Sequence, residues 1–311
     1  MTERIPLILD VDTGIDDALA IAYAVGSPDA QLVAVTTLAG NIGVERTTQN
    51  TLDVLDLLGR TDVPVHRGAS KPLVRPHLDA VYFHDVNGLG GAILPHSDRE
   101  IGADRGPAAM IRLSKARPGE LTLVCVGPLT NLAIALNVDP DFGRRLRRLV
   151  IMGGAFHVPG NTTPYGEFNI LCDPEAAIEV LQAQLPETIF IGLDVTHQTA
   201  LKREVWEATT EALRAGKAGP AARLASAVAE RVFVERGLLG TYLHDPLAVA
   251  VALDPSLVET ESVSFSIATG EPERGQTTVV GPGELKVAIG VNAERFGERF
   301  HERLQLHRHG D

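Results

Sequence analysis

Asp10, Asp12, Asp16 and Asp17 place four carboxylates within eight residues, directly after the apolar run Ile5, Pro6, Leu7, Ile8, Leu9. On a strand, Asp10 and Asp12 point to one face with their α-carbons about 6.8 Å apart. Gly14 permits a sharp turn, and Asp16 and Asp17 then fall in the first turn of a helix whose inward stripe is Ile15, Ala18, Leu19, Ala22 and Val25. Four negative groups at one strand end repel one another unless a cation joins them, protons neutralise some, or solvent screens them. A bound divalent metal is the simplest resolution. Taken singly, each aspartate has an ordinary reading, because Asp complements a helix N-terminus and commonly precedes a turn. The four together, at the end of a buried-looking strand, point to a site, and ligands of open α/β sheets bind at such ends.

The elements that must position this cluster follow a regular alternation. Short apolar strands are predicted at 5–9, 32–36, 63–65, 121–126, 149–152 and 188–191, with helices at 44–58 and 107–116 and another opening at Asp173-Pro174-Glu175. In the last, Asp is a good N-cap and Pro a good first residue. Further helices are predicted at 202–215, 220–234, 246–253 and 293–304, and late strands at 263–267, 277–280 and 285–291. This βαβ rhythm predicts an α/β fold, an open, mostly parallel Rossmann-like sheet flanked by helices, as a single domain over 1–311. Residues 68–97 resist the pattern, with Pro72, Pro76, Pro95 and Asn87-Gly88-Leu89-Gly90-Gly91, and read as a lid-like loop or mobile excursion. A second Gly/Pro/Asn-rich loop spans 156–169, and 306–311 reads as a frayed tail.

Composition excludes several classes. A formal net charge of −12 and the absence of a basic stripe with interleaved aromatics argue against a nucleic-acid partner. No apolar stretch reaches membrane-spanning length and the N-terminus leads into its first strand without a signal-type segment, so a cytoplasmic protein is expected. Two cysteines, Cys125 and Cys172, support neither a disulfide framework nor a thiolate metal site.

Six segments in order, the opening DVDTGIDDALA, Gly40-Asn41, Val126-Gly127-Pro128-Leu129-Thr130-Asn131, Met152-Gly153-Gly154, Glu167-Phe168-Asn169 and His244-Asp245-Pro246, together resemble the inosine-uridine-preferring nucleoside hydrolases. The resemblance implies hydrolysis of the N-glycosidic bond of a ribonucleoside, giving ribose and free base, with one Ca2+ in the pocket and a homodimer or homotetramer as the assembly. It implies Asp12, Asp17 and Asp245 as carboxylate ligands and Val126 as a carbonyl ligand. These are hard oxygen donors, which select calcium or magnesium over zinc or copper. A metal-held water would lie beside Asp12, the general base, and attack a sugar passing through an oxocarbenium-like transition state. By the same resemblance Asp16 and Asn169 hold the 2′- and 3′-hydroxyls, Asn161 and Glu167 the 5′-hydroxyl, and Asn41 the water and ribose side, with Met152 near ribose. His244 resembles a histidine that protonates the leaving base, and His84 is a weaker base contact. Phe233 and Tyr242 are open to either base contact or ordinary packing, and Asp10 to support from behind the ligands.

Two departures stand out: Thr13 where many members carry proline, and Asp85 where a glycine often follows the loop histidine. Both bear on loop shape and substrate preference. Competing readings are a nucleoside- or ribose-binding protein without catalysis, and a haloacid-dehalogenase-like phosphatase suggested by Asp10-Val11-Asp12. The latter pattern wants threonine or valine where Gly14 stands.

Overall fold

A strand buried on both faces is apolar along most of its length rather than alternating, and Pro6 to Leu9 meet that demand: Pro6 to Val11 are all buried, Asp10 alone among them being charged, in a computed structural model, which describes residues 4–307. The strands are β1 (Ile5–Val11), β2 (Ala30–Thr37), β3 (Val65–Arg67), β4 (Thr122–Cys125), β5 (Arg148–Met152), β6 (Glu187–Ile191), β7 (Ala200–Lys202), β8 (Gly240–Tyr242), β9 (Val258–Ile267), β10 (Thr277–Pro282) and β11 (Leu285–Val291). The helices are α1 (Ile15–Gly26), α2 (Val44–Leu57), α3 (Val81–His84), α4 (Gly106–Ala116), α5 (Thr130–Val138), α6 (Phe168–Cys172), α7 (Pro174–Gln182), α8 (Leu193–Thr196), α9 (Arg203–Arg214), α10 (Pro220–Val234), α11 (His244–Leu253) and α12 (Ala293–Leu304).

Nine strands form one sheet in the order β10-β9-β11-β6-β5-β4-β1-β2-β3. From β3 to β11 every pair is parallel, and β9 and β10 extend the sheet antiparallel. The chain thus winds one way from β1 through β2 to β3 and the other way from β4 onward. The crevice beyond the C-terminal ends of β1 and β4 is the point of reversal, where open sheets of this kind bind ligands. β7 and β8 make a separate two-stranded ribbon that the sequence pattern did not reveal.

Side-chain alternation along β1 divides the core. Leu7, Leu9 and Val11 join the layer built with α1, α10 and α11, whereas Ile8 faces the layer containing Met110, Leu132 and Ala176 from α4, α5 and α7. Truncating a fully buried leucine such as Leu9 to alanine costs about 2–5 kcal/mol at such positions, and here it would also loosen the strand that carries the aspartates. Two expectations need correction. The third strand lies at Val65–Arg67, two residues later than 63–65, because Val63 is held in the preceding turn by the Arg60 carbonyl. The tail does not begin at 306: Leu306 is buried in the core and the His307 N–H donates to Thr209 Oγ1. Residues 308–311 lie outside the described residues.

Candidate active site

Where β1 ends, the backbone itself fixes the acids. The Asp12 and Gly14 N–H groups donate to the two oxygens of Asp17 at 3.0 and 2.9 Å, so the α1 N-terminus folds around that carboxylate. Asn41, in the loop after β2, donates its backbone N–H to Asp12 Oδ2 at 2.6 Å and its side-chain amide to Asp17 at 3.1 Å. A Cβ at Gly40 would sit 2.0 Å from Asp12 Oδ2, and one at Gly127 2.7 Å from Oδ1. Both positions must therefore be glycine for this carboxylate to fit. Asp12 Oδ1 is buried and has no hydrogen-bond partner among the described residues. Asp245 enters from the first turn of α11.

Oxygens of Asp16, Asp17 and Asp245 lie within 4.8 Å of one another. Asp12, drawn toward the Asn41 N–H, is not part of that tightest set, so Asp16 stands closer to the other two acids than its assignment to a sugar hydroxyl alone implies. Burial, reinforced by Asp17, raises the pKa of Asp12 well above its ordinary value. Burial and then Asp16, Asp17 and Asp12 do the same to Asp245. Asp16 is pushed to about 7 by burial and Asp17. Among oxygen donors only, these unfavourable charges fit a hard divalent cation, and the unpartnered Asp12 oxygen is the kind of buried polar atom a ligand would satisfy.

Asp10 sits behind the cluster, as expected of a supporting residue. Its Oδ1 accepts from Thr36 at 2.6 Å and from Asn131 at 2.8 Å, and burial raises its pKa to about 7. Asn131, within the Thr130-Asn131 turn, also bonds the Thr37 carbonyl and the Ala69 N–H, tying β1, β2 and the following loop together.

A cavity of about 290 Å³ opens above these acids and brings Asp16, Asn41, His84, Val126, Met152, Asn161, Glu167, Asn169, His244 and Asp245 to one wall or another. Asn169 donates to the carbonyls of Val126 at 2.8 Å and Met152 at 3.2 Å, which leaves its Oδ1 for a ligand. Glu167 is buried and caps α6: Oε1 accepts the Asn169 N–H, and Oε2 accepts those of Gly154 and Ile170. Asn161 is exposed at the mouth and accepts the Phe168 N–H at 3.0 Å. Burial raises the Glu167 pKa, against the lowering effect of its three backbone donors.

At the other end, His244 has Nδ1 2.7 Å from Thr196 Oγ1, and His84 accepts the Ile15 N–H at Nδ1, 3.0 Å away. Burial lowers both pKa values to about 3, aided for His244 by His197 and His84 and for His84 by Arg236. Burial thus favours the neutral form of both rings in the ligand-free protein. Tyr242 lies at the rim, 4.6 Å between centroids from His197. Phe233 does not reach the cavity; it is buried against Trp206 because α10 turns it toward α9.

Tyr82, Phe83, Thr162, His197 and Thr241 line the cavity and were not singled out in the sequence. The signal for His197 was its position shortly after a sheet strand's C-terminal end, the edge at which this architecture collects ligands. Cys125 and Cys172 are buried free thiols, as expected of packing residues.

Comparison with known proteins converges on one family. The model of the inosine-uridine preferring nucleoside hydrolase family matches residues 7–298. The pyrimidine-specific ribonucleoside hydrolase RihA of Enterobacter sp. (strain 638) is 40% identical over 280 residues, covering 88% of each chain. The non-specific ribonucleoside hydrolase RihC of Escherichia coli O127:H6 is 37% identical, covering 97% of this chain and 99% of its own. The solved structure of a purine-preferring ribonucleoside hydrolase from Gardnerella vaginalis superposes with a TM-score of 0.88 at 34% identity, covering 96% of this chain and 98% of that one. Full-length matches of this kind displace the phosphatase alternative, and this chain belongs to the inosine-uridine-preferring nucleoside hydrolase family, hydrolases acting on N-glycosyl compounds.

Proposed function

We propose that the protein is a calcium-dependent ribonucleoside hydrolase, cleaving the N-glycosidic bond to give ribose and free base. The observation that carries this reading is the buried, unpartnered Asp12 Oδ1 beside the Asp16, Asp17 and Asp245 cluster at the reversal point of the sheet. Asp12, Asp17, Asp245 and the Val126 carbonyl would hold the ion. When bound, calcium would offset the repulsion among these acids and lower the cost of turning water into a nucleophile.

The residues of the chain supply the remaining steps. Asp12, fixed through Oδ2 by the Asn41 N–H, takes the proton of the attacking water. The surrounding carboxylates favour the positive charge that develops on the sugar. Asp16 and the Oδ1 of Asn169 accept the 2′- and 3′-hydroxyls, the Met152 backbone borders the ribose, and Asn161 and Glu167 receive the 5′-hydroxyl. Attack by a single water inverts the anomeric carbon. His244, anchored at Nδ1 by Thr196, turns Nε2 to the departing base; in its charged form it gives up a proton there and returns to the neutral ring that burial favours, with His84 as a second contact. We include in the same proposal a homodimeric or homotetrameric assembly and a cytoplasmic location; among the described residues no helix is long and apolar enough to cross a membrane.

Release of reducing sugar from inosine, adenosine, guanosine, uridine and cytidine, with calcium and after chelation, tests the reading. Turnover restored by calcium to a chelated, inactive enzyme is expected. Full activity after exhaustive chelation would overturn the metal assignment, and tight nucleoside binding without sugar release would favour a binding protein.

A further inference from the structure

The loop histidine is carried by a strap pinned at both ends: the Ala80 N–H donates to the Asn41 carbonyl, Asn50 Nδ2 donates to the Asn87 carbonyl, and Leu89 is buried in the core. Between these pins α3 is a single helical turn, too short to be stable by itself; Tyr82 within it is 64% exposed and Val86 just after it 78%. On its outer side the fastening is polar. Asp85, the residue directly after His84, forms an ion pair with Arg231 of α10, and Arg236 just beyond that helix donates to the Tyr82 and Phe83 carbonyls with its guanidinium 4.7 Å from the Phe83 ring centroid. The strap is closed on its inner side by the Gly90 N–H bonding the His84 carbonyl at 2.8 Å.

Asp85 has φ +66° and ψ 169°, a backbone conformation that glycine adopts readily and aspartate does not. A glycine would relieve the strain and lose the ion pair. The departure noted in the sequence is thus a residue kept against its own backbone preference, with its carboxylate directed at α10.

The ring this strap delivers has a defined face. An N–H can only donate, so the Ile15 N–H fixes His84 Nδ1 as an acceptor, and the neutral ring carries its proton on Nε2. His84 therefore offers the cavity a hydrogen-bond donor, suited to a carbonyl oxygen or an unprotonated ring nitrogen of a base.

We propose that Asp85 and Arg231 are positioning residues for base recognition: their ion pair latches the strap to α10 and so holds the His84 Nε2–H toward the base of a bound nucleoside. This rests on the nucleoside-hydrolase reading above. The carboxylates paired with Arg231 are those of Asp85 and Glu235, not those of the acid cluster.

The test uses the full chain with saturating calcium and compares wild type with Asp85→Gly, Arg231→Gln, the double variant, and Arg231→Lys as the conservative rescue. For Asp85→Gly and Arg231→Gln, KM for the best nucleoside should rise about tenfold with kcat within about threefold. The inhibition constant of free ribose, which reaches only the sugar end, should stay within about twofold. The double variant should be no worse than either single one, because the two residues act as a unit, and Arg231→Lys should recover most of the loss. Exchange of the Ile15 amide proton should quicken about tenfold in Asp85→Gly, which relieves its own backbone and should melt close to wild type. Wild-type KM and wild-type Ile15 exchange in that variant would overturn the latch alone. A wild-type enzyme inactive on every nucleoside would overturn the parent reading and the base-recognition role with it.

Discussion

The two ends of the cavity are built by different means. The acid end is made by backbone: Asp12, Asp17 and Glu167 are each held by main-chain N–H groups, and all are buried. The base end is made largely by side chains borrowed from distant segments, Arg231 and Arg236 on the strap, Thr196 on His244 and His197 against Tyr242, with the exposed Tyr82 on the cavity wall. A main-chain frame fixes a reaction geometry within the fold itself, whereas a side-chain frame can be rewritten by single substitutions. Relatives named pyrimidine-specific, non-specific and purine-preferring belong to the same family.

The largest effect should come from the acid end. Asp12→Ala should reduce turnover by on the order of 1,000- to 10,000-fold, toward the upper range for a lost general base, and equally on inosine and on p-nitrophenyl riboside, because water activation is common to both. Unequal losses in steady-state turnover would break the division between the two ends. His244→Ala should slow inosine by on the order of 100- to 10,000-fold and p-nitrophenyl riboside far less, since nitrophenolate leaves readily without a proton. Equal losses would mean that the histidine only positions Asp245. Next, inosine 5′-monophosphate should react at least about 100-fold more slowly than inosine, because its dianion would meet the buried Glu167 carboxylate without a compensating cation. Comparable kcat/KM values would remove Glu167 from the 5′-hydroxyl.

The smallest effect is in stability. In the metal-free protein, burial raises the Asp10 pKa to about 7 from an ordinary value of 3.8. Between those values the folded state binds more protons than the unfolded one, so stability is greatest at low pH within the window and falls as pH rises toward 7. Asp16, also raised to about 7, and the raised Asp12 and Asp245 act in the same sense and together outweigh the opposite effect of the buried His84 and His244, so the chelated protein should melt higher at pH 5.5 than at pH 8, by calorimetry, and calcium should raise the melting temperature more at pH 8 than at pH 5.5. An unchanged difference with calcium present would separate Asp10 electrostatically from the ion site.

This contrast also governs what could be read from the sequence. The β1 run and the four aspartates were legible from local grammar, a strand, a tight turn and a helix start, whereas Asn41 and Asn169 stood out only through the resemblance carried by the ordered motifs. The parallel sheet followed from the alternation of apolar runs with helical periodicity, although its antiparallel extension through β9 and β10 and the β7–β8 ribbon did not, since strand partners are chosen by tertiary packing. His197 and Thr196 escaped notice because α8 is one turn long and gives no periodic signal. The Asp85–Arg231 pair joins residues 146 positions apart in an irregular loop and a helix end, which no spacing rule connects. Phe233 was ambiguous for a related reason, as helical periodicity fixes a residue's face but not what that face meets.

Glu167 gives the molecule a particular kind of robustness. The same carboxylate that borders the cavity closes the first turn of α6 with two main-chain hydrogen bonds and ties it to the Gly154 N–H after β5 with a third. Replacing it with glutamine would turn an amide N–H2 toward one of those donors, and a shorter side chain would leave them unmet. Drift at this position is therefore screened at the stage of chain folding, before any change in substrate choice could be tried, whereas the strap across the cavity remains open to evolutionary experiment.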